Sequence, residues 1–247
     1  CVVACGSSQE RKVRYLEKAK VYYQNENYDK ARVELRNALQ IDPKYAEARY
    51  LAAKIAENSG ELRAAFIGYQ AAFDEDPNNS SARAALARLY VLAGTPDKSK
   101  ELVDEGLKLE PQNADLMLIR AALLNQEKKI DEAITVAEAA QKINPNDEMC
   151  IALLASLYKQ NNQIDKAIGI LSDGIKRLPK SYDLLVVLAD IQISQNNLDE
   201  VKQLIDKIIV LKPKVLSYRV QLAQFLLFRK DPDGAEAVSY THLTLPT

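Results

Sequence analysis

Residues 12–45 read KVRYLEKAKVYYQNENYDKARVELRNALQIDPKY, and the organisation of the whole chain follows from this stretch. Apolar residues recur at helical spacing on both sides of a polar turn, Asn25-Glu26-Asn27, and the pattern stops at Pro43. Proline lacks a backbone N–H and holds the residue before it away from the α region, so it ends one helix and fixes the turn into the next. Pro77, Pro111, Pro145, Pro179 and Pro213 follow Pro43 at intervals of 34 residues. Six breaks in one register mean that a two-helix unit is being repeated.

In this register the units are 12–45, 46–79, 80–113, 114–147, 148–181 and 182–215, with a partial seventh over 216–237. The eighth slot holds Ala19, Ala53, Ala87, Ala121, Ala155, Ala189 and Ala223, and a second slot twelve places on holds Ala31, Ala65, Ser99, Ala133, Ala167, Val201 and Ala235. Two helices approach closely only where both carry small side chains, so the paired slots mark a crossing point inside each unit. Polar turns are expected between them, at Asn25–Asn27, Asn58–Gly60, Ala93–Thr95, Gln126–Lys128, Asn161–Gln163 and Gln195–Asn197. Acids that follow the turns, such as Asp29 and Asp131, fall in a first helical turn, where the helix dipole favours them. Tyr22, Tyr90, Leu124 and Tyr158 in first helices, with Leu35, Tyr69 and Leu171 in second helices, are the expected core.

Composition agrees. Of 247 residues 47% are hydrophobic and 27% charged, the balance of a folded chain. Eight glycines, four phenylalanines and no tryptophan speak against a β-rich fold. With 33 basic against 34 acidic side chains there is no global field to draw in nucleic acid, so any electrostatic preference is local.

A 34-residue helix-turn-helix unit with alanine at two crossing slots and a terminal proline resembles the tetratricopeptide repeat, over residues 12 to about 237. Two features depart from the family pattern: no unit has its usual Trp, and several lack the Gly that opens the turn. The resemblance implies an all-α, right-handed α-solenoid of antiparallel helix pairs whose first helices line a concave groove for other proteins or peptides. The slot after the repeated alanine is expected to face that groove. It reads Lys20, Lys54, Arg88, Ala122, Ser156, Asp190 and Gln224, a basic column that fades and turns acidic, and Tyr23 and Tyr50 are placed to flank it. Cations beside aromatics suit an acidic peptide segment or a C-terminal carboxylate. The carboxylate clamp of chaperone-binding members needs Lys where Leu16 and Ala84 stand, so that partner is not expected.

The ends read differently. Residues 1–11 are read as the remnant of a signal peptide and a tether, because Val2-Val3-Ala4-Cys5-Gly6-Ser7-Ser8 resembles the bacterial lipobox, which implies acylation of Cys5. Several acyl chains make such anchoring stable. Residues 238–247, Val238 to Thr247, break the repeat pattern with β-branched and polar residues and read as a non-native tail, and the one histidine, His242, lies there.

No phosphate-cradling loop, metal-spaced His/Cys cluster or nucleophilic triad is visible, so no enzyme activity, cofactor or metal is expected. Three cysteines cannot build a disulfide framework or a four-ligand zinc site, and Cys150 stands in a slot occupied elsewhere by Ala82, Leu116 and Leu184, as a packed thiol would. Asp131, Asp165 and Asp199 are read as solvated first-turn residues, not as an acid/base pair. The expected role is a protein–protein interaction scaffold. The lipobox implies an envelope lipoprotein, on the outer membrane and facing the periplasm, that acts in secretion, assembly or surface-polymer export. The array is also similar to repeat lipoproteins of exopolysaccharide and PEP-CTERM sorting loci. Membrane contact is expected through the lipid alone, and no nucleic acid is expected. A cytoplasmic adaptor or co-chaperone and the repeat region of a larger enzyme are the alternatives.

Overall fold

The computed structural model describes residues 7–211, with Val220, Gln224 and Leu227 as isolated helical positions beyond them. Cys5, Ala223, Ala235 and the tail 238–247 lie outside the described residues. Among the described residues there are twelve helices and no strand. They are α1 Ser8–Gln24, α2 Tyr28–Ile41, α3 Ala46–Asn58, α4 Leu62–Glu75, α5 Ser80–Leu92, α6 Pro96–Leu109, α7 Ala114–Gln126, α8 Ile130–Ile143, α9 Glu148–Gln160, α10 Ile164–Arg177, α11 Tyr182–Ser194 and α12 Leu198–Leu211. The 34-residue unit is therefore a helix pair, six times over.

Helix α1 begins at Ser8, inside the stretch read as a tether. A capping box causes this: Ser7 Oγ accepts the Glu10 backbone N–H and the Glu10 carboxylate takes the Ser7 N–H at 2.7 Å. Within each pair the turn is a three-residue Schellman closure. The N–H of Asn27, Glu61, Thr95, Lys129, Gln163 and Asn197 donates to the carbonyl of Tyr22, Ala56, Tyr90, Leu124, Tyr158 and Gln192 respectively. The middle residue takes positive φ in every case: Glu26 (56°), Gly60 (76°), Gly94 (71°), Lys128 (65°), Asn162 (56°) and Asn196 (58°). This geometry moves two expected turns one residue on, because Asn58 and Gln126 are still helical.

Between pairs, proline acts as expected. Asp42, Asp76, Glu110, Asn144 and Leu178, each just before a proline, have φ between −137° and −122° and close their helix through an N–H to the residue four back.

The paired small slots are buried together. Ala19, Ala31, Ala65, Ala87, Ser99, Ala121, Ala133, Ala155 and Ala167 are all 0% exposed. A third small column, not singled out in the sequence, follows seven residues after the second: Ala38, Ala72, Gly106, Ala140 and Gly174, all buried. It lies where the first helix of the next pair packs, since the Gly106 and Gly174 α-carbons sit against Leu116 and Leu184.

The chain forms two compact units, Cys1–Leu123 and Leu124–Thr247, divided within α7. In the first, each core cluster joins one pair to the next first helix. Leu16, Ala19, Leu35 and Ala38 pack with Ala48 and Ile55; Tyr69 with Leu86 and Leu89; Val103 with Leu116 and Leu123. In the second, α8 packs on α9, α9 on α10, α10 on α11 and α11 on α12, around Ile151, Leu154, Leu157, Leu171, Leu184 and Ile191. Cys150 is a buried free thiol whose Sγ donates to the Ala137 carbonyl, and burial pushes its ionisation up to about 12, which bears out the packed reading. No described helix is long and apolar enough to cross a membrane, and among the described residues no His/Cys/Asp/Glu group could hold a metal ion.

Candidate functional site

First helices also touch one another, α1 with α3 and α9 with α11, so each unit presents a shared surface of first helices. The slot after the repeated alanine lies there, and a rule governs it. Its side chain engages the residue 31 positions earlier, on the preceding first helix. Lys54 Nζ stands 5.4 Å from the centroid of the Tyr23 ring, Arg88 Nη2 is 2.5 Å from Glu57 Oε1, and Asp190 Oδ2 is 2.7 Å from Lys159 Nζ. The physical basis is stacking: successive first helices lie side by side, so a long side chain on one reaches the last turn of its neighbour.

Lys20 has no described first helix ahead of it. It turns instead to Glu17 in its own helix, Nζ to Oε1 2.8 Å, and that hydrogen bond holds the ammonium above its ordinary range. The expected basic column is therefore not a run of free cations. Lys20 and Arg88 are compensated by carboxylates, whereas Lys54 pairs with no carboxylate among the described residues and lies over an aromatic face.

Around these cations the structure assembles residues that the spacing argument missed. Glu57, besides holding Arg88, accepts the Tyr69 hydroxyl at 2.8 Å, and the Tyr69 ring tilts against Tyr50 at 5.5 Å. Burial, with Glu57 as acceptor, pushes the Tyr69 hydroxyl far above its usual ionisation range. Asn58 Nδ2 donates to the hydroxyls of Tyr23 (3.1 Å) and Tyr28 (3.3 Å), whose rings lie 5.7 Å apart. Tyr23 with Lys54, and Tyr50 with Arg88 through Tyr69 and Glu57, thus form two linked clusters, while Lys20 stands apart. The 31-residue spacing of Glu57 from Arg88 and of Lys159 from Asp190 was the available signal. Ala122 and Ser156 are half-buried, and Gln224 is exposed on an isolated helical position.

The arrangement combines exposed Asn58 with half-buried Tyr23, Tyr28 and Lys54. It offers one ammonium group on an aromatic face, an amide, and tyrosine hydroxyls on a common surface, which is the equipment for holding a polar chain.

Comparison with known proteins bears on the repeat and the fold. Residues 19–60 match a family model described as TPR repeat, residues 69–123 and 91–157 one described as Tetratricopeptide repeat, and residues 126–208 one described as Anaphase-promoting complex, cyclosome, subunit 3. The chain is 38% identical over 73 residues to the cellulose synthase operon protein C of Pseudomonas fluorescens, covering 30% of this chain and 6% of that protein. It is 28% identical over 134 residues to the DnaJ homolog subfamily C member 7 homolog of Schizosaccharomyces pombe, covering 48% of this chain and 28% of that one. The alignments thus span less than a third of the length of these relatives. Among solved structures, a human IFIT1 dimer with PPP-AAAA superposes with a TM-score of 0.75 at 16% identity, over 94% of this chain and 58% of that one. That similarity concerns the fold.

Proposed function

Because the chain is a tetratricopeptide repeat protein, an all-α solenoid of a class that serves as protein–protein interaction scaffolds, we propose that it docks a partner protein along its first helices, at an acidic segment held by Lys54. The observation that carries this reading is the state of Lys54, a cation poised on Tyr23 beside the Asn58 amide with no carboxylate paired to it. An incoming Asp, Glu or C-terminal carboxylate gains a charge-assisted hydrogen bond there without displacing a resident acid. At Arg88 or Lys20 the same group would have to compete with Glu57 or Glu17.

The proposed setting is the bacterial envelope, with Cys5 acylated and the array on the periplasmic side of the outer membrane, as a docking element in secretion, assembly or surface-polymer export. The lipobox-like Val2–Cys5 and the likeness of part of the chain to a cellulose synthase operon protein support this setting. The likeness to a DnaJ homologue favours a second reading, a cytoplasmic co-chaperone adaptor. With charges balanced and the groove cations mostly paired, nucleic acid is not the proposed ligand.

Cross-linking in native membranes, followed by recovery of wild type and Lys54→Glu, tests the docking site. The partner recovered with wild type should be lost with Lys54→Glu and kept with Arg63→Glu, on the exposed part of α4. Equal recovery with Lys54→Glu refutes the site. Metabolic palmitate labelling of wild type but not Cys5→Ser supports the envelope setting, and an unlabelled wild type leaves the adaptor reading.

A further inference from the structure

The first helix of each later pair is buried on the side that meets the preceding pair. Its third slot holds Ala48, Ala82, Leu116, Cys150 and Leu184, none more than 1% exposed, and its tenth holds Ile55, Leu89, Leu123, Leu157 and Ile191, none above 5%. In α1 the same two slots hold Arg14, which is exposed, and Val21, 54% exposed. Between them, where Leu86, Leu154 and Leu188 are buried in other pairs, stands exposed Lys18. Arg14 and Lys18 stand one turn apart and form a row at helical spacing on this face, while Arg11, a turn earlier, is half-buried and donates to Ser8 Oγ.

Two features set the face apart from an ordinary polar cap, which needs charge of either sign. The first is its single sign. Helix α1 carries five cations and two acids, and the acids are directed elsewhere, Glu10 to the Ser7 N–H and Glu17 to Lys20. Neither Arg14 nor Lys18 pairs with a carboxylate among the described residues. The second is its position. Cys5 stands three residues before Ser8, so a tether between them spans at most about 10 Å. A lipid on Cys5 would hold the start of α1 about 10 Å or less from a headgroup layer, and with the helix laid along that layer the row comes within the Debye length of about 8 Å at physiological salt.

We propose that the α1 face bearing Arg14 and Lys18 docks on anionic phospholipid headgroups, so that the array is oriented on the membrane and not merely tethered to it. The proposal rests on the lipoprotein reading for its placement and on the row of cations for its chemistry. Membrane contact then goes beyond the lipid alone. Each cation beside an anionic leaflet is worth about 1 kcal/mol, which is about a five-fold gain in partitioning.

The full chain carrying Cys5→Ser, and so unable to be acylated, is sedimented with vesicles of phosphatidylcholine alone or mixed with phosphatidylglycerol. Binding to the mixed vesicles should exceed the other by about 25-fold for two such cations. Arg14→Gln/Lys18→Gln should remove the difference with the helical circular dichroism unchanged, and Arg63→Gln should keep it. Equal binding to both vesicles, or a preference that survives in the double variant, overturns the proposal. Palmitate labelling reports on Cys5 separately: a labelled Cys5 without phosphatidylglycerol preference sinks the docking face alone, and a preference without labelling sinks the lipoprotein reading alone.

Discussion

Gly106 of α6 lies against the aliphatic stem of Arg83 on α5: a methyl group at Gly106 would fall 2.7 Å from Arg83 Cδ, and 2.5 Å from Leu116 Cδ1. Arg83 is 5% exposed, and its guanidinium stacks 4.9 Å from the Phe73 ring centroid, donates to the Pro77 carbonyl at 2.9 Å and pairs with Glu105. A buried guanidinium at a repeat junction is accommodated because the third small column drops from alanine to glycine there.

Gly106→Ala should therefore destabilise the protein by about 1–2 kcal/mol, because overpacking at a junction closed by buried Leu116 outweighs the helix-propensity gain of about 1 kcal/mol. Gly174→Ala is the contrast. Its methyl would meet Ile151 and Leu184 at 3.0–3.2 Å, a contact that small shifts relieve, so the propensity gain should bring stability within about 1 kcal/mol of wild type. Urea unfolding of the two variants checks the order.

Lys128 and Glu26 hold a left-handed conformation that costs a side chain about 1–2 kcal/mol, at the turn position that is glycine or asparagine in the other four pairs. Lys128→Gly should stabilise by about 0.5–1 kcal/mol after the entropy of the more flexible unfolded chain is subtracted. Gly94→Ala, with open space around the new methyl but φ of 71°, should lose about 1 kcal/mol. A rise in Tm for Gly94→Ala would contradict the strain account.

Ser99 occupies the crossing slot that is alanine in most pairs, and its Oγ is buried without a hydrogen-bond partner. Ser99→Ala removes an unsatisfied hydroxyl and restores the small apolar contact, so a gain of about 1 kcal/mol is expected in thermal or urea unfolding.

Cys150 should resist alkylation by iodoacetamide at pH 8 in the native protein and react when urea unfolds it, in a background carrying Cys1→Ser and Cys5→Ser. Desolvation raises the folded thiol from 9.0 to about 12, so the protonated form is favoured by folding. That stability is fully present below pH 9.0 and is lost as pH climbs toward about 12. Tyr158, buried and donating to Glu138 at 2.6 Å, is raised from 10.0 to about 12 and adds a loss of the same sign. Unfolding followed from pH 8 to 12 should weaken steadily, and Cys150→Ala should retain only the later, tyrosine part.

The linkage of first helices gives a reciprocal test. Arg88→Glu alone places a second acid beside Glu57 and leaves the Tyr69 acceptor in a repulsive site, so a loss of about 2–3 kcal/mol is expected. Adding Glu57→Arg should recover part of it, and strict additivity in the double variant would show that the pair is not coupled.

The helical pair, its period and the crossing alanines were legible in residues 12–45 because each depends on local chemistry: a proline that cannot stay in a helix, and small side chains that recur where two helices must touch. The groove slot was legible as a column for the same reason. What periodicity did not carry was the electrostatic state of that column. Whether Lys54 is uncompensated while Arg88 is bound depends on Tyr23 and Glu57, 31 residues away, and on how neighbouring first helices lie side by side.

Tertiary structure likewise decided that Gly106 yields to Arg83, that α1 starts at Ser8, and that the α1 stacking face is left to charge. Spacing along the chain specifies which residues share a face. Only the packed neighbours determine which of them are satisfied, because a hydrogen bond or ion pair is a distance between atoms of different helices.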